Sequence, residues 1–204
     1  MGFDYSYLLY FKRANLWNAL GGVVAIAEPY EPPIDIHFPD HVFSIPLKSW
    51  TLKDKLVHHD DPRFGFDTIL RFDVDDEIEE YLDFPADIDA SNQVAIGHIY
   101  LDIICNLAVR QPNNEAADLV LFDFGTPGTR MSKLFLSSRS IRATFLDLLK
   151  QYDGVCGVFN QEDAGGEVFW LQGREVSYRV DDPYVLPVDT ENGPDSTHAD
   201  GPSP

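Results

Sequence analysis

The sequence predicts an α+β fold, a mostly antiparallel sheet with two main helices on one face. Three observations predict it. Apolar runs of strand length recur along the chain, turn-forming clusters separate them, and only two segments carry apolar residues at helical spacing. A parallel α/β sheet needs a crossover helix between most consecutive strands, and two helices are too few.

The elements follow in order. Tyr5 to Phe11 is aromatic and aliphatic enough for a buried strand. Leu16, Trp17, Leu20, Val23, Val24 and Ala27 then repeat at helical spacing, and Pro29 ends that helix. Ile34, Ile36 and Phe38 alternate with Asp35 and His37 ahead of a Pro39-Asp40 turn, and Val42 to Leu47 completes a hairpin. Thr68 to Val74 reads as a strand, with Glu77 to Leu82 either its hairpin partner across Asp75-Asp76 or, from Asp76, a short acidic helix. Val94 to Leu107 and Leu119 to Phe124 are further strands, separated by the turn-rich stretch from Gln111 to Asn114.

Met131 to Leu136 reads as another strand, followed by a helix with Ile141, Phe145, Leu148, Leu149 and Tyr152 on one face. Ser138 or Ser140 would cap that helix and Gly154 would stop it. Val155 to Phe159 and Glu167 to Leu171 form a second hairpin. The order strand, helix, hairpin thus occurs over residues 4–48 and again over 130–172, which raises a duplicated βαββ unit as a hypothesis resting on element order alone. Residues 1–186 are expected to form a single domain, since 204 residues suffice for one substantial core. Residues 187–204 hold four prolines, two glycines and four acidic residues with little to pack, and are expected to be a disordered tail.

Charge excludes several function classes. A formal net charge of −19 and a pI near 4.4 repel phosphate backbones and anionic lipid, so no nucleic-acid or membrane partner is expected; a basic protein partner suits such a surface. No secretory signal and no bilayer-length apolar stretch is visible, and Cys105 and Cys156 lie in apolar runs suited to buried free thiols, so a cytoplasmic location is expected.

Candidate chemistry is sparse. Phe124 to Lys133 contains glycines, hydroxyls and cations, but the interval between its glycines is not that of a phosphate loop, and the strand read over Met131 to Leu136 would displace the helix such a loop needs. No GxSxG elbow occurs, and Val155 and Val158 around Cys156 predict a raised thiol pKa. His58, His59 and Asp60, joined by His37 and His41 from the neighbouring hairpin, supply the ligand types for a divalent metal such as zinc, manganese or iron. Adjacent side chains diverge on both strands and helices, so a polar turn ending at Pro62 is the simpler account.

The most unusual feature is electrostatic. Ten acidic residues and no Lys or Arg lie between Arg71 and Arg110, most densely at Asp73, Asp75, Asp76, Glu77, Glu79 and Glu80. Like charges this close repel unless something cationic faces them. The leading expectation is therefore a non-catalytic acidic binding protein, an immunity-like or antitoxin-like inhibitor of a basic protein, that uses those six residues and no cofactor. The alternatives are a small enzyme that uses a divalent metal at the His/Asp cluster, and a structural or oligomer-forming protein that pairs through strand edges.

Overall fold

The computed structural model describes residues 4–37, 42–49, 63–82, 91–105, 107 and 118–186. In chain order these form β1 (Ser6–Lys12), α1 (Leu16–Ile26), β2 (Ile34–His37), β3 (Val42–Ile45), β4 (Lys48–Ser49) and β5 (Arg63–Asp73). Next come α2 (Asp76–Tyr81), β6 (Gln93–Ile104), β7 (Leu119–Gly125), α3 (Thr129–Ser137), α4 (Arg139–Gln151), β8 (Cys156–Asn160), β9 (Gly166–Leu171) and β10 (Arg174–Val180). The main sheet has eight strands in the order β10, β9, β8, β1, β7, β6, β5, β4, with antiparallel neighbours throughout, and β2 and β3 pair separately. The predicted α+β class, mostly antiparallel with its helices on one face, is the observed one.

The apolar run at β1 reflects burial on both faces. Tyr7, Leu9 and Phe11 join the core beneath the helices, whereas Leu8 and Tyr10 join a second buried cluster on the other face with Leu121, Cys156, Val158 and Val168. A central strand covered on both sides has no need of polar alternation. Beneath the helices, the Phe145 ring of α4 stacks on Tyr7 at 4.5 Å and lies 4.8 Å from Phe124, which fixes α4 over β1 and β7. The second cluster is flanked by the segment after β10, where Tyr10 donates its hydroxyl to the Pro183 carbonyl at 3.4 Å. Tyr184, next along, also packs there.

Two local readings change, and the alternative of a short acidic helix from Asp76 is the one observed. Met131 to Leu136 belongs to helix α3, because Met131, Leu134 and Phe135 turn onto one buried face at helical spacing. The strand ahead of the second helical unit is therefore β7, and the loop after it runs straight into a helix. Its hydroxyls are committed internally: Thr126 Oγ1 lies 2.7 Å from Ser132 Oγ, which in turn accepts from the Tyr5 amide. The Asp75-Asp76 stretch starts helix α2 rather than a hairpin turn, since the Asp75 carboxylate accepts the Ile78 amide at 2.9 Å and Ile78 itself is buried. At the end of α4, finally, the left-handed residue is Asp153, with φ of 51°, not Gly154.

Of the two proposed caps for α4, Ser138 takes the role, accepting the Ile141 amide at 3.1 Å. β10 has no counterpart in the sequence reading. It is an edge strand with exposed residues on both sides, so apolar patterning does not mark it.

Candidate functional site

Register brings distant polar residues into one row on the sheet face opposite the helices. Cross-strand partners run Asn160, Ser6, Gly125, Tyr100, Asp67 and Lys48 across β8, β1, β7, β6, β5 and β4. The adjacent row holds Val158, Leu8, Asp123, Asp102 and Gly65. Directly paired residues project to the same face, so Asp67, Asp102 and Asp123 gather although 35 and 21 residues separate them in the chain. They line a cleft of about 620 Å³ with Asp4, Ser6, Lys48, Tyr100, Thr126, Asn160 and Tyr184. Gly125 keeps its floor low: a Cβ there would meet nothing closer than the Tyr100 carbonyl at 3.9 Å.

The three sheet carboxylates differ in environment. Asp67 is well partnered, with Lys48 Nζ at 3.0 Å and His98 Nδ1 at 2.8 Å. Asp102 Oδ2 is ion-paired with Arg63, while its Oδ1 is buried and no protein group among the described residues donates to it. Asp123 receives the Tyr184 hydroxyl at 3.3 Å, and Asn160 Nδ2 approaches the same hydroxyl at 3.5 Å. Burial pushes the Asp123 carboxyl up to about 6 against the opposing effect of the Ser6 and Tyr184 hydroxyls, and the neighbouring Asp102 charge adds to the rise.

The six acidic residues singled out in the sequence lie elsewhere, around α2. Asp75 is spent internally: Oδ1 accepts the Ile78 amide, and Oδ2 accepts the Ser138 hydroxyl at 2.8 Å and the Ser140 amide at 2.9 Å. Burial alone would raise its pKa, but those donors outweigh it and hold the carboxylate below its ordinary value. Asp73 accepts from Gln93 at 2.9 Å. Asp76, Glu77 and Glu79 occupy the first turn of α2, where a carboxylate favours the exposed amides of a helix start. Asp76, Glu79 and Glu80 are exposed, and none forms an ion pair among the described residues.

Of the candidate metal set, only His37 falls among the described residues, as the last residue of β2; His41, His58, His59 and Asp60 lie outside them, as does the segment 187–204. Among the described residues no group of three or more His, Cys, Asp or Glu is arranged to hold a metal. The cysteines are unpaired, and burial pushes the Cys156 thiol up to about 12 and raises that of Cys105, as the apolar neighbours of Cys156 imply. No described helix is long and apolar enough to cross a membrane.

With this geometry in hand, the chain was compared with protein-family models, curated proteins and solved structures. None of the three comparisons gave a match. The cleft therefore has to be read from its own chemistry.

Sequence reasoning missed the cleft, yet a signal was present. Asp67, Asp102 and Asp123 are each a lone carboxylate inside an otherwise apolar or aromatic strand, in FGFDTIL, YLDII and VLFDF. A charge in such a run is costly unless it lines a cavity or meets a partner. Local charge density drew attention to α2 instead, because density ignores which residues the register will unite.

Proposed function

We propose that this chain is a non-catalytic acidic binding protein, an inhibitor of the immunity or antitoxin type, whose open-face cleft receives a basic side chain of its partner protein. One observation carries the reading. Asp102 and Asp123 are cross-strand neighbours lining the cleft, Arg63 is ion-paired with Asp102 only, and Asp102 keeps a buried oxygen to which no described protein group donates. An incoming guanidinium or ammonium offers both the charge and the N–H donors that such a floor favours. Tyr100, 41% exposed at the rim, offers an aromatic face on which a cation rests well. Free cysteines at positions 105 and 156 support a reducing, cytoplasmic setting.

A second contact surface is favoured by the exposure of Asp76, Glu79 and Glu80 on a helix fixed by Ile78 and by the Asp75 cap, with Asp73 and Glu77 beside them. Short Arg-rich and Lys-rich peptides serve as probes, titrated at low and high salt against the wild type, Asp102→Asn/Asp123→Asn and Asp76→Asn/Glu79→Gln/Glu80→Gln. Cleft recognition predicts salt-sensitive binding that the first double variant weakens at least tenfold and the triple variant leaves within about twofold. The reverse pattern moves the contact to α2. Binding that ignores salt and both variants would sink the proposal.

A further inference from the structure

We propose that the Tyr184 hydroxyl is an internal stand-in for the partner's donor: it occupies Asp123 in the free protein and swings away when a cation enters the cleft. This gate acts on the cation site of the function proposed above and rests on that reading. Tyr184 lines the cleft. Its hydroxyl donates to Asp123 Oδ2 at 3.3 Å and accepts from Asn160 Nδ2 at 3.5 Å. Both contacts are longer than the ~2.7–3.0 Å of well-formed bonds to such groups. The neighbouring carboxylates are held by charged side chains, Asp102 by Arg63 and Asp67 by Lys48, whereas the side chains that donate to Asp123 are the hydroxyls of Ser6 and Tyr184. A guanidinium or ammonium brings a full positive charge to that carboxylate, which a tyrosine hydroxyl cannot.

The moving part is one side chain, because the backbone beneath it is anchored. After β10 the chain crosses back from the sheet edge over the open face, so that Pro183 meets β1 and Tyr184 meets β8 and β7. Pro183 is buried, and its carbonyl accepts the Tyr10 hydroxyl. Asp182 holds the turn, its carboxylate accepting the Tyr184 amide at 2.9 Å and its carbonyl the Val185 amide at 3.3 Å. Leu186 packs beyond it against the second buried cluster. Between these anchors Tyr184 is half-buried. Its hydroxyl can leave Asp123 by rotation of the side chain alone, with Pro183 and Leu186 still seated and the sheet pairing intact.

Tyr184→Phe keeps the ring and removes the hydroxyl, so calorimetry with L-arginine amide should show the variant binding at least about threefold more tightly than wild type. Carbon NMR of protein labelled at the tyrosine Cζ supplies a second readout. The resonance missing from Tyr184→Phe identifies Tyr184 in the wild type, and it should shift as arginine amide is added and saturate with the calorimetric curve. Binding by the variant alone would mean that the hydroxyl closes the cleft fully, which supports the gate. Equal affinities, or weaker binding by the variant, overturn the gate while leaving cleft recognition intact. So does a Tyr184 resonance unmoved by saturating ligand. No binding by either protein removes cleft recognition and the gate together.

Discussion

Ser138 donates its hydroxyl to Asp75 Oδ2 at 2.8 Å while accepting the Ile141 amide at 3.1 Å, so one short chain of hydrogen bonds joins the start of α2 to the start of α4. Asp75 closes it from the other side by capping α2 through Ile78. The densest acidic stretch of the sequence therefore contains one residue whose work is structural. Asp75→Ala removes the acceptor for two amides and one hydroxyl, and should cost about 1–3 kcal/mol in urea denaturation. Asp75→Asn retains one acceptor oxygen and should cost less. Because the folded-state pKa is lowered, this contribution is complete above the ordinary carboxylate range and is lost as pH falls through the folded value. The stability difference between wild type and Asp75→Ala should accordingly shrink in acid; a constant difference would argue against the charge-assisted caps.

Asp123 has the opposite sign. Its pKa is raised from 3.8 to about 6, so the folded state binds more protons than the unfolded chain across that window. Stability then falls as pH rises from 3.8 to about 6. The full difference corresponds to at most about 3 kcal/mol, less whatever water in the open cleft screens. Asp123→Asn abolishes the titration, so its stability relative to wild type should improve steadily across this window in denaturation curves taken at several pH values. Parallel curves would show that the carboxyl is not desolvated in the fold.

The two acidic regions show what a linear reading reaches. Fold class, the buried strand β1, helix α1 and the Ser138 cap were legible because each depends on local spacing or on a residue beside the element it serves. Helix α3 was not, because Met131, Leu134 and Phe135 lie in a short, mostly apolar stretch, interrupted by Ser132 and Lys133, that suits a strand as well as a helix, and only packing decides. The cleft was illegible for a different reason. Asp67, Asp102 and Asp123 meet through the pairings β5 to β6 and β6 to β7, and register is a property of the assembled sheet. Local density found Asp75, whose role is to hold two helix starts, and passed over Asp123.

Cysteine reactivity offers an inexpensive check on the sheet face around β8. The Cys156 thiol is fully buried, among Leu8, Tyr10 and Val158, and burial raises its pKa to about 12. Cys105 is only partly buried, and its thiol is also raised. In native protein at mildly alkaline pH, a disulfide reagent should modify Cys105 slowly and Cys156 only on the timescale of unfolding, with both reacting at once in denaturant. Rapid native modification of Cys156 would mean that this cluster opens locally.

Asp153 and Gly154 carry the turn from α4 into β8 by dividing two tasks that a single glycine often performs. Asp153 takes the left-handed conformation at φ 51°, which aspartate tolerates at some cost. Gly154 is needed for space: a Cβ there would lie 2.9 Å from Leu149 Cα and 2.3 Å from Leu149 Cδ2, and its amide donates to the Leu149 carbonyl at 2.7 Å. Backbone cannot retreat as a flexible side chain can, so Gly154→Ala should destabilise by about 1–3 kcal/mol. Asp153→Gly relieves the strained conformation and should be neutral or stabilising by up to about 1 kcal/mol, although glycine gives back part of that through unfolded-state entropy. Thermal unfolding of the two variants should therefore shift in opposite directions or leave only Gly154→Ala affected. Equal losses for both would mean that the turn, not the contact with Leu149, determines which residues are tolerated here.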